Sequence, residues 1–398
     1  MLGNQWFRKE SPLLSLLGLG GGGGGQRTAG GSGTWAVASP TGASVPGQSG
    51  VCKFEDAPND MTYCIFYDPG TVTIAGNVTA EGALLVGGGG CGGAPGGGGG
   101  GAGGVLLDAD DSLVLSGGTY NVTIGDGAPP VRSESPANPE GPSSGNIPWL
   151  SPSGPVWPSG GNYVGFPGGN TIFGTYIAYG GENGGAESPN PTYPNVKGYP
   201  APGPEKSFIE GGAPYVPWDP PANVGSGGAH AYAQSPTTEV PAATFQHPSG
   251  PFTGYGNSAG TGGDTNGGSG GAGGAGNPKD GSPPGRGGPE VAVPTGLLPD
   301  PVTGSAPLFP AGFLNVDSTA PSAQRRAFAG GASAYPDRAR SNENTGGAGG
   351  PTGPQSQHSG TNFRGGGAGG MNTPNPQTNY GYGGKGVFII KFKTSEEA

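Results

Sequence analysis

The sequence GALLVGGGGCGGAPGGGGGGAGGVLLDADDSLVLSGGTYNVTIGDG, residues 82–127, decides the fold of this chain. Fourteen of the eighteen residues from Gly87 to Gly104 are glycine. Such a tract cannot form an α-helix or an ordinary strand, because glycine loses the most backbone entropy on folding and has no side chain to bury. The tract is therefore either a flexible coil, like a Gly/Ser linker, or a packed set of polyproline-II-type helices.

Apolar triplets on both sides of the tract favour the ordered alternative. Residues 84–86 precede it and residues 105–107 follow it, and both triplets have the composition of buried strands. Two more strands are predicted at 113–115 and 120–124. We therefore predict a mainly β and irregular fold with very little α-helix. It is a short-strand sheet or sandwich with long glycine-rich excursions, which are polyglycine-II helices if they are ordered.

Two flanking stretches extend this sheet. Residues 61–67 and 71–74 alternate apolar and polar side chains around Asp68-Pro69-Gly70, which predicts a β-hairpin. Residues 387–392 are almost continuously apolar, which predicts a strand buried on both faces. We expect that strand to pair with the N-terminal strands and so to close the domain.

A set of short motifs follows in a fixed order along the chain: FYDPGTVTI at 66–74, ALLVGGGG at 83–90, GTYNVTIG at 118–125, GNTIFG at 169–174, IAYGG at 177–181 and YGGKGVFIIK at 382–391. This order resembles the glycine-rich domain of bacteriophage tail-fibre and virion-surface proteins, over roughly residues 63–393. The resemblance implies a structural protein on the virion surface, a tail-fibre or other fibre component that contributes to binding a host-cell receptor, with glycans among the possible receptors. An extracellular, self-assembling wall or sheath protein is the alternative function.

Composition narrows the class of protein. The 398 residues include 92 glycines and 45 prolines, only 31% are hydrophobic and only 11% are charged. The hydrophobic fraction is too small to form a substantial core in a chain of this length. The charged fraction is nevertheless too low for a solvated disordered chain. We therefore expect a homo-oligomer, a trimer by analogy with fibres. The net charge of −10 without a basic stripe argues against nucleic acid, and no apolar run is long enough to span a membrane.

The chain divides into five predicted regions: an anchoring peptide at 1–19, a Gly/Ser/Pro linker at 20–50, a small β domain with the glycine tract at 51–127, a region rich in proline and aromatic residues at 128–253, and a glycine-rich region at 254–398 that ends in the closing strand. The anchoring peptide is expected to dock on other virion proteins through its apolar side chains: Trp6, Phe7, Leu13, Leu14, Leu16 and Leu17. A disordered terminus and a signal peptide are the alternatives.

The proline-rich region is the predicted site of receptor contact. Aromatic side chains on adaptable loops are typical of recognition surfaces. The candidate contact residues are Trp149, Trp157, Tyr163, Tyr193, Tyr199, Tyr215 and Trp218. The alternative is that these aromatics form the core of their own segment.

The sequence predicts no catalytic residue, metal site or cofactor. The G-x-S-x-G pattern occurs at 256–260 and 267–271, without the strand and helix that a nucleophile elbow needs. Asp108, Asp110 and Asp111 could ligate calcium, but the spacing of a full calcium loop is absent, which favours a solvated turn between two strands. Cys52 and Cys64 could close a small disulfide loop or remain reduced.

Overall fold

The protein is described by a computed structural model. The described residues are 33–39, 50–93, 98–128, 167–184, 223–229, 244–260, 268–277, 285–294, 297–298, 326–333, 359–361, 364–370 and 381–398. In this part of the chain the structure is mainly β, and helix is limited to two short 3-10 turns, Ala57–Asn59 and Thr394–Glu396. The predicted fold class, mainly β with very little helix, is confirmed.

Two antiparallel sheets form a sandwich. The five-stranded sheet has the order β1-β4-β7-β8-β9, with β1 at Thr34–Ala38, β4 at Gly70–Thr79, β7 at Val114–Thr123, β8 at Thr171–Phe173 and β9 at Tyr176–Ala178. The six-stranded sheet has the order β12-β6-β5-β15-β3-β2, with β2 at Val51–Asp56, β3 at Met61–Phe66, β5 at Ala83–Val86, β6 at Val105–Asp108, β12 at Thr253–Tyr255 and β15 at Val387–Lys393.

Two smaller ribbons accompany the sandwich. Parallel β10, Asn223–Val224, pairs with β11, Thr244–Phe245. Antiparallel β13, Val291–Ala292, pairs with β14, Ala327–Phe328.

Aromatic stacking joins the two sheets. The rings of Phe173 in β8 and Phe388 in β15 stack with centroids 4.6 Å apart, and the Trp35 ring in β1 stacks on Phe392 at 5.0 Å. All four side chains are fully buried. Because residues alternate between the faces of a strand, Phe388 points toward the five-stranded sheet while its neighbour Ile389 belongs to a second apolar cluster.

The closing strand has the position that its sequence predicted. β15 lies between β3 and β5, pairing antiparallel with both, and is buried on both faces. The second cluster covers the outer face of the six-stranded sheet and includes Leu297, Leu298 and Phe328 from the later part of the chain. The apolar run in β15 is continuous because each face of this strand packs against its own apolar cluster.

The predicted β-hairpin at 61–74 is wrong. β3 pairs with β2 and β15, whereas β4 pairs with β1 and β7 in the other sheet. The turn at Asp68-Pro69-Gly70 therefore carries the chain from one sheet to the other. The alternating pattern fixed which side chains face the core, but it carried no information about the partner strand.

Two other boundaries differ from prediction. The separate strands predicted at 113–115 and 120–124 form one strand, β7, which accommodates Gly117 and Gly118 opposite a shift in register between Ile74 and Asn77 of β4. Residues 34–38, assigned by composition to the linker, form β1, because Trp35 fills the space beside Phe392.

The glycine-rich segments leave one end of the sandwich and pack side by side. We call them the glycine array, which comprises residues 87–93, 98–104, 125–128, 167–170, 179–184, 225–229, 256–260, 268–277, 285–290, 329–333, 359–361, 364–370 and 381–386. Backbone hydrogen bonds join different segments of this array throughout.

These bonds repeat every three residues. Three successive bonds join the first two segments, from the N–H groups of Gly87, Gly90 and Gly93 to the carbonyl oxygens of Gly104, Gly101 and Gly98, at 2.9, 2.9 and 3.0 Å. The intervening N–H groups point elsewhere: Gly88 donates to Gly169 and Gly89 to Gly384, both at 2.9 Å. A period of three is that of a polyproline-II backbone, which turns successive donors toward different neighbours.

Close approach of the backbones explains why these positions are glycine. A Cβ at Gly89 would meet the carbonyl group of Gly366, and one at Gly103 would meet that of Gly87. Ala102, between Gly101 and Gly103, is tolerated because its methyl group joins the apolar cluster on the outer face of the six-stranded sheet.

Candidate functional site

The array has two distinct ends. At the end next to the sandwich, Gly87 follows β5 and Gly104 precedes β6. At the opposite end, which we call the far end, hydrogen bonds and close contacts bring together residues at which described segments stop: Gly93, Gly98, Gly184, Ala229, Ser333, Gly370 and Gly381.

Several contacts place these residues together. The Gly93 N–H donates to Gly98 at 3.0 Å, and the Gly184 N–H donates to Cys91 at 2.8 Å. The Cys91 thiol in turn lies 3.5 Å from the carbonyl oxygen of Gly381. Across the array, the Gly370 N–H donates to Ser333 at 3.0 Å. Segments distant in sequence therefore end at the same level.

The candidate aromatics belong to two segments that leave the array, one after Ala128 beside Gly89 and one after Gly184 at the far end. Trp149, Trp157 and Tyr163 lie between Ala128 and residue 167, and Tyr193, Tyr199, Tyr215 and Trp218 lie between Gly184 and Asn223. All seven lie outside the described residues. Ala128 donates its N–H to Gly89 and Gly169 donates to Asp126, so both chain ends that flank 129–166 are held in the array.

The other pole of the molecule holds the first and the last described residues of the chain. β1 runs from Thr34 toward the array. Its last residue, Ala38, pairs with Thr71 of β4. The neighbouring Gly70 pairs with Val122, which lies just before the array segment that begins at residue 125. The last strand runs in the opposite direction, and the Ala398 N–H donates to Trp35 at 2.9 Å. We call residues 33–35 and 393–398 the base.

The predicted anchor residues Trp6, Phe7, Leu13, Leu14, Leu16 and Leu17 also lie outside the described residues. The described chain begins at Gly33, and a Cβ there would meet the carbonyl groups of Asn77 and Ala75. The chain therefore enters the sandwich on the side remote from the far end.

One acidic side chain is buried inside the array. The Glu182 carboxylate accepts a hydrogen bond from the Gly228 N–H at 2.9 Å. Burial raises the pKa of Glu182 to about 7, although the bond from Gly228 opposes the rise. The backbone of Glu182 also bonds Gly101 and Ser226, so this residue links three segments of the array.

A charged cluster lies where the sandwich meets the array. The Lys385 Nζ atom is 2.6 Å from Oδ1 of Asp68 and 3.8 Å from Oδ1 of Asp126. The Gly50 N–H donates to the other oxygen of Asp68 at 2.9 Å. The sequence did not predict this cluster, because positions 68, 126 and 385 are far apart along the chain.

The cysteine alternatives are resolved by the pleat of the sheet. Cys52 and Cys64 are free and buried, and their side chains belong to apolar clusters on opposite faces of the six-stranded sheet. They cannot form a disulfide without rearrangement of the strands. Burial raises the pKa of the Cys64 thiol far above its ordinary value, which makes this thiol unreactive.

The aspartates at 108–111 form a turn. Asp108 is buried, and its carboxylate accepts bonds from the Ser112 N–H, the Ser112 hydroxyl and the Leu113 N–H at 3.2, 2.7 and 3.0 Å. Groups of the turn itself thus supply the hydrogen-bond donors for the Asp108 carboxylate. No group of three His, Cys, Asp or Glu side chains in the described part of the chain could hold a metal ion.

The G-x-S-x-G pattern at 256–260 follows β12 and enters the array, where the Asn257 carbonyl oxygen accepts a bond from Gly227 at 2.9 Å. Its described residues, 256–260, therefore do not begin the helix of a nucleophile elbow. Among the described residues, no helix has the length and apolar character needed to cross a membrane.

Comparisons of the chain with protein-family models, with curated proteins and with solved structures found no match.

Proposed function

We propose that this protein is a non-enzymatic surface component of a bacteriophage particle, a tail-fibre or other fibre protein. Its N-terminal peptide attaches to other virion proteins, and the far end of the array faces a receptor on the host cell. Glycans are among the receptors that aromatic side chains suit, because sugar rings stack on aromatic faces.

The polarity of the molecule is the observation that supports this proposal. The base holds residues 33–35 and the C-terminus, whereas the segments that contain all seven candidate aromatics leave the array at Ala128, partway along it, and at Gly184 of the far end. Attachment at one pole and recognition at the other is the arrangement that a fibre component needs. The array between them is held by backbone hydrogen bonds, so it can support varied sequences at its end.

The first test is location. Mass spectrometry of purified phage particles, with antibody labelling in electron micrographs, is expected to find the protein on the particle surface. Detection in the wall or sheath of the producing cell, with none in particles, would instead establish the self-assembling extracellular protein.

The second test is binding. The labelled full chain is compared with a variant in which Trp149, Trp157 and Tyr163 are all alanine, on host cells and on isolated surface glycans. We expect at least a tenfold loss of binding and an unchanged melting temperature. Lys53→Ala, near the base, is the matched control and should bind normally. Equal binding by the triple variant would remove these aromatics from the recognition surface.

A further inference from the structure

Three side chains from separate parts of the fold meet beside the array. Asp68 lies in the turn between β3 and β4, Asp126 lies in the array segment that follows β7, and Lys385 lies just before β15. Their charged atoms are 2.6 Å apart for Lys385 and Asp68, and 3.8 Å apart for Lys385 and Asp126. This cluster therefore joins an early turn to the last strand.

Hydrogen bonds to backbone groups fix the main chain at Lys385 and the carboxyl group of Asp68. The Lys385 carbonyl oxygen accepts from the Gly365 N–H at 3.0 Å, and the adjacent Gly386 N–H donates to Gly125 at 2.8 Å. The Gly50 N–H, 2.9 Å from Oδ2 of Asp68, fixes that carboxyl and draws electron density away from its carbon. Holding an amine against a carboxyl in this way replaces a bimolecular encounter with an intramolecular step.

We propose that Lys385 and Asp68 condense to a side-chain amide, with Asp126 as the general acid and base. A proton passes from the Lys385 ammonium to the Asp68 carboxylate, and the amine nitrogen then attacks the carboxyl carbon. Asp126 takes a proton from the nitrogen and delivers it to the departing oxygen, which leaves as water. One C–N bond forms, one C–O bond breaks and one water is released, so no oxidant, reductant or cofactor is required.

The environment of Asp126 suits this role. Partial burial raises the pKa of Asp126, whose side chain is 44% exposed; Lys385 opposes the rise and the nearby Asp68 carboxylate adds to it. A carboxyl that keeps its proton closer to neutral pH can both give and accept one during the reaction. The two exposed fractions, 25% for Lys385 and 20% for Asp68, leave a path by which the released water departs.

The bond would change the connectivity of the chain. It would close a covalent loop from residue 68 to residue 385, so the closing strand could not separate from the turn after β3. This inference does not depend on the proposed function, because the chemistry needs only the folded chain.

Intact mass spectrometry of the denatured full-length protein tests the inference. We expect a mass lower than that of the sequence by one water, and peptide mapping should find the fragments containing Asp68 and Lys385 joined. Lys385→Arg and Asp68→Ala should each have the full mass calculated for their sequences. Asp126→Asn, which keeps the shape of the side chain, should slow the loss of water by at least tenfold.

The exposed pair Lys53–Glu397 is an internal control and should remain unlinked. A full-mass wild-type protein, after prolonged incubation in the folded state, would overturn the amide. A cross-link that forms in Asp126→Asn at the wild-type rate would overturn the role of Asp126, and a cross-link at Lys53 would overturn the selectivity.

Discussion

Glu182 makes the array sensitive to pH. Its pKa rises from an ordinary 4.5 to about 7 in the folded protein, so the folded state binds a proton more tightly than the unfolded state does. The free energy of unfolding should therefore fall as the pH rises from about 4.5 to about 7, and stay lower above that range. At 1.36 kcal/mol per pKa unit the loss is about 3 kcal/mol.

Glu182→Gln tests this effect. The amide keeps an oxygen to accept the Gly228 N–H but carries no charge to desolvate, so this variant should be more stable than wild type above pH 7, by about 3 kcal/mol. The measurement is denaturant unfolding of both proteins at pH 5 and pH 8. The difference between the two proteins should be smaller at pH 5; a difference equal at both pH values would contradict the assignment.

The Phe388 side chain packs in the contact between the two sheets. It stacks on Phe173 at 4.6 Å, and its ring centroid is 5.3 Å from that of Phe66. Phe388→Ala should lower the free energy of unfolding by about 3–5 kcal/mol, because the cavity forms in the centre of the core. Val114→Ala, at a side chain that is 62% exposed, is the control and should change it by less than about 0.5 kcal/mol. Comparable losses in the two variants would contradict this packing.

At the scale of an element, the glycine segments are sensitive to a single methyl group. Gly103→Ala would drive a Cβ into the backbone of Gly87 and break the 2.8 Å bond from the Gly103 N–H to Gly365. Each buried backbone bond left unmade costs about 1–3 kcal/mol, so thermal unfolding should occur at a clearly lower temperature.

Gly117→Ala is the matched control for that variant. A Cβ at Gly117 in β7 would lie 3.3 Å from the nearest atom, the carbonyl oxygen of Gly76. We expect a change within about 1 kcal/mol, because the smaller conformational freedom of the unfolded chain offsets the slight crowding. If Gly103→Ala and Gly117→Ala unfold alike, the segment 98–104 is not closely packed in solution.

The sequence predicted the elements that have side-chain patterns. The apolar triplets at 84–86 and 105–107 became β5 and β6, and the closing strand paired where expected. The partner of β4 was not predictable, since alternation reports only which face is buried. The register of the array was not predictable either, because glycine has no side chain by which one neighbour could be told from another. The far end and the Lys385 cluster both depend on that register.

At the scale of the whole molecule, the array alters the reason for expecting an oligomer. The sparse apolar content suggested that the fold would need the support of other chains, yet hydrogen bonds within this chain join every segment of the described array. The trimer stays a prediction based on analogy with fibres. Light scattering of the purified chain would test it, and a stable monomer would contradict it.

Deletion of residues 1–19 tests the polarity of the molecule. The described body contains none of these residues, so the truncated protein should fold with an unchanged melting temperature. We expect it to be absent from particles, because Trp6, Phe7 and the four leucines would no longer dock. Normal incorporation of the truncated chain would contradict an N-terminal anchor.

The backbone-to-backbone packing of the array has a thermodynamic consequence. Exposed apolar surface raises the heat capacity of unfolding by about 0.45 cal/K/mol per Å², whereas exposed polar surface lowers it by about 0.26. Melting the array exposes chiefly peptide groups, so the heat capacity increment should fall below the usual value of about 12–15 cal/mol/K per residue. Differential scanning calorimetry should then find a stability curve that is unusually flat, with folding persisting over a broad range of temperature.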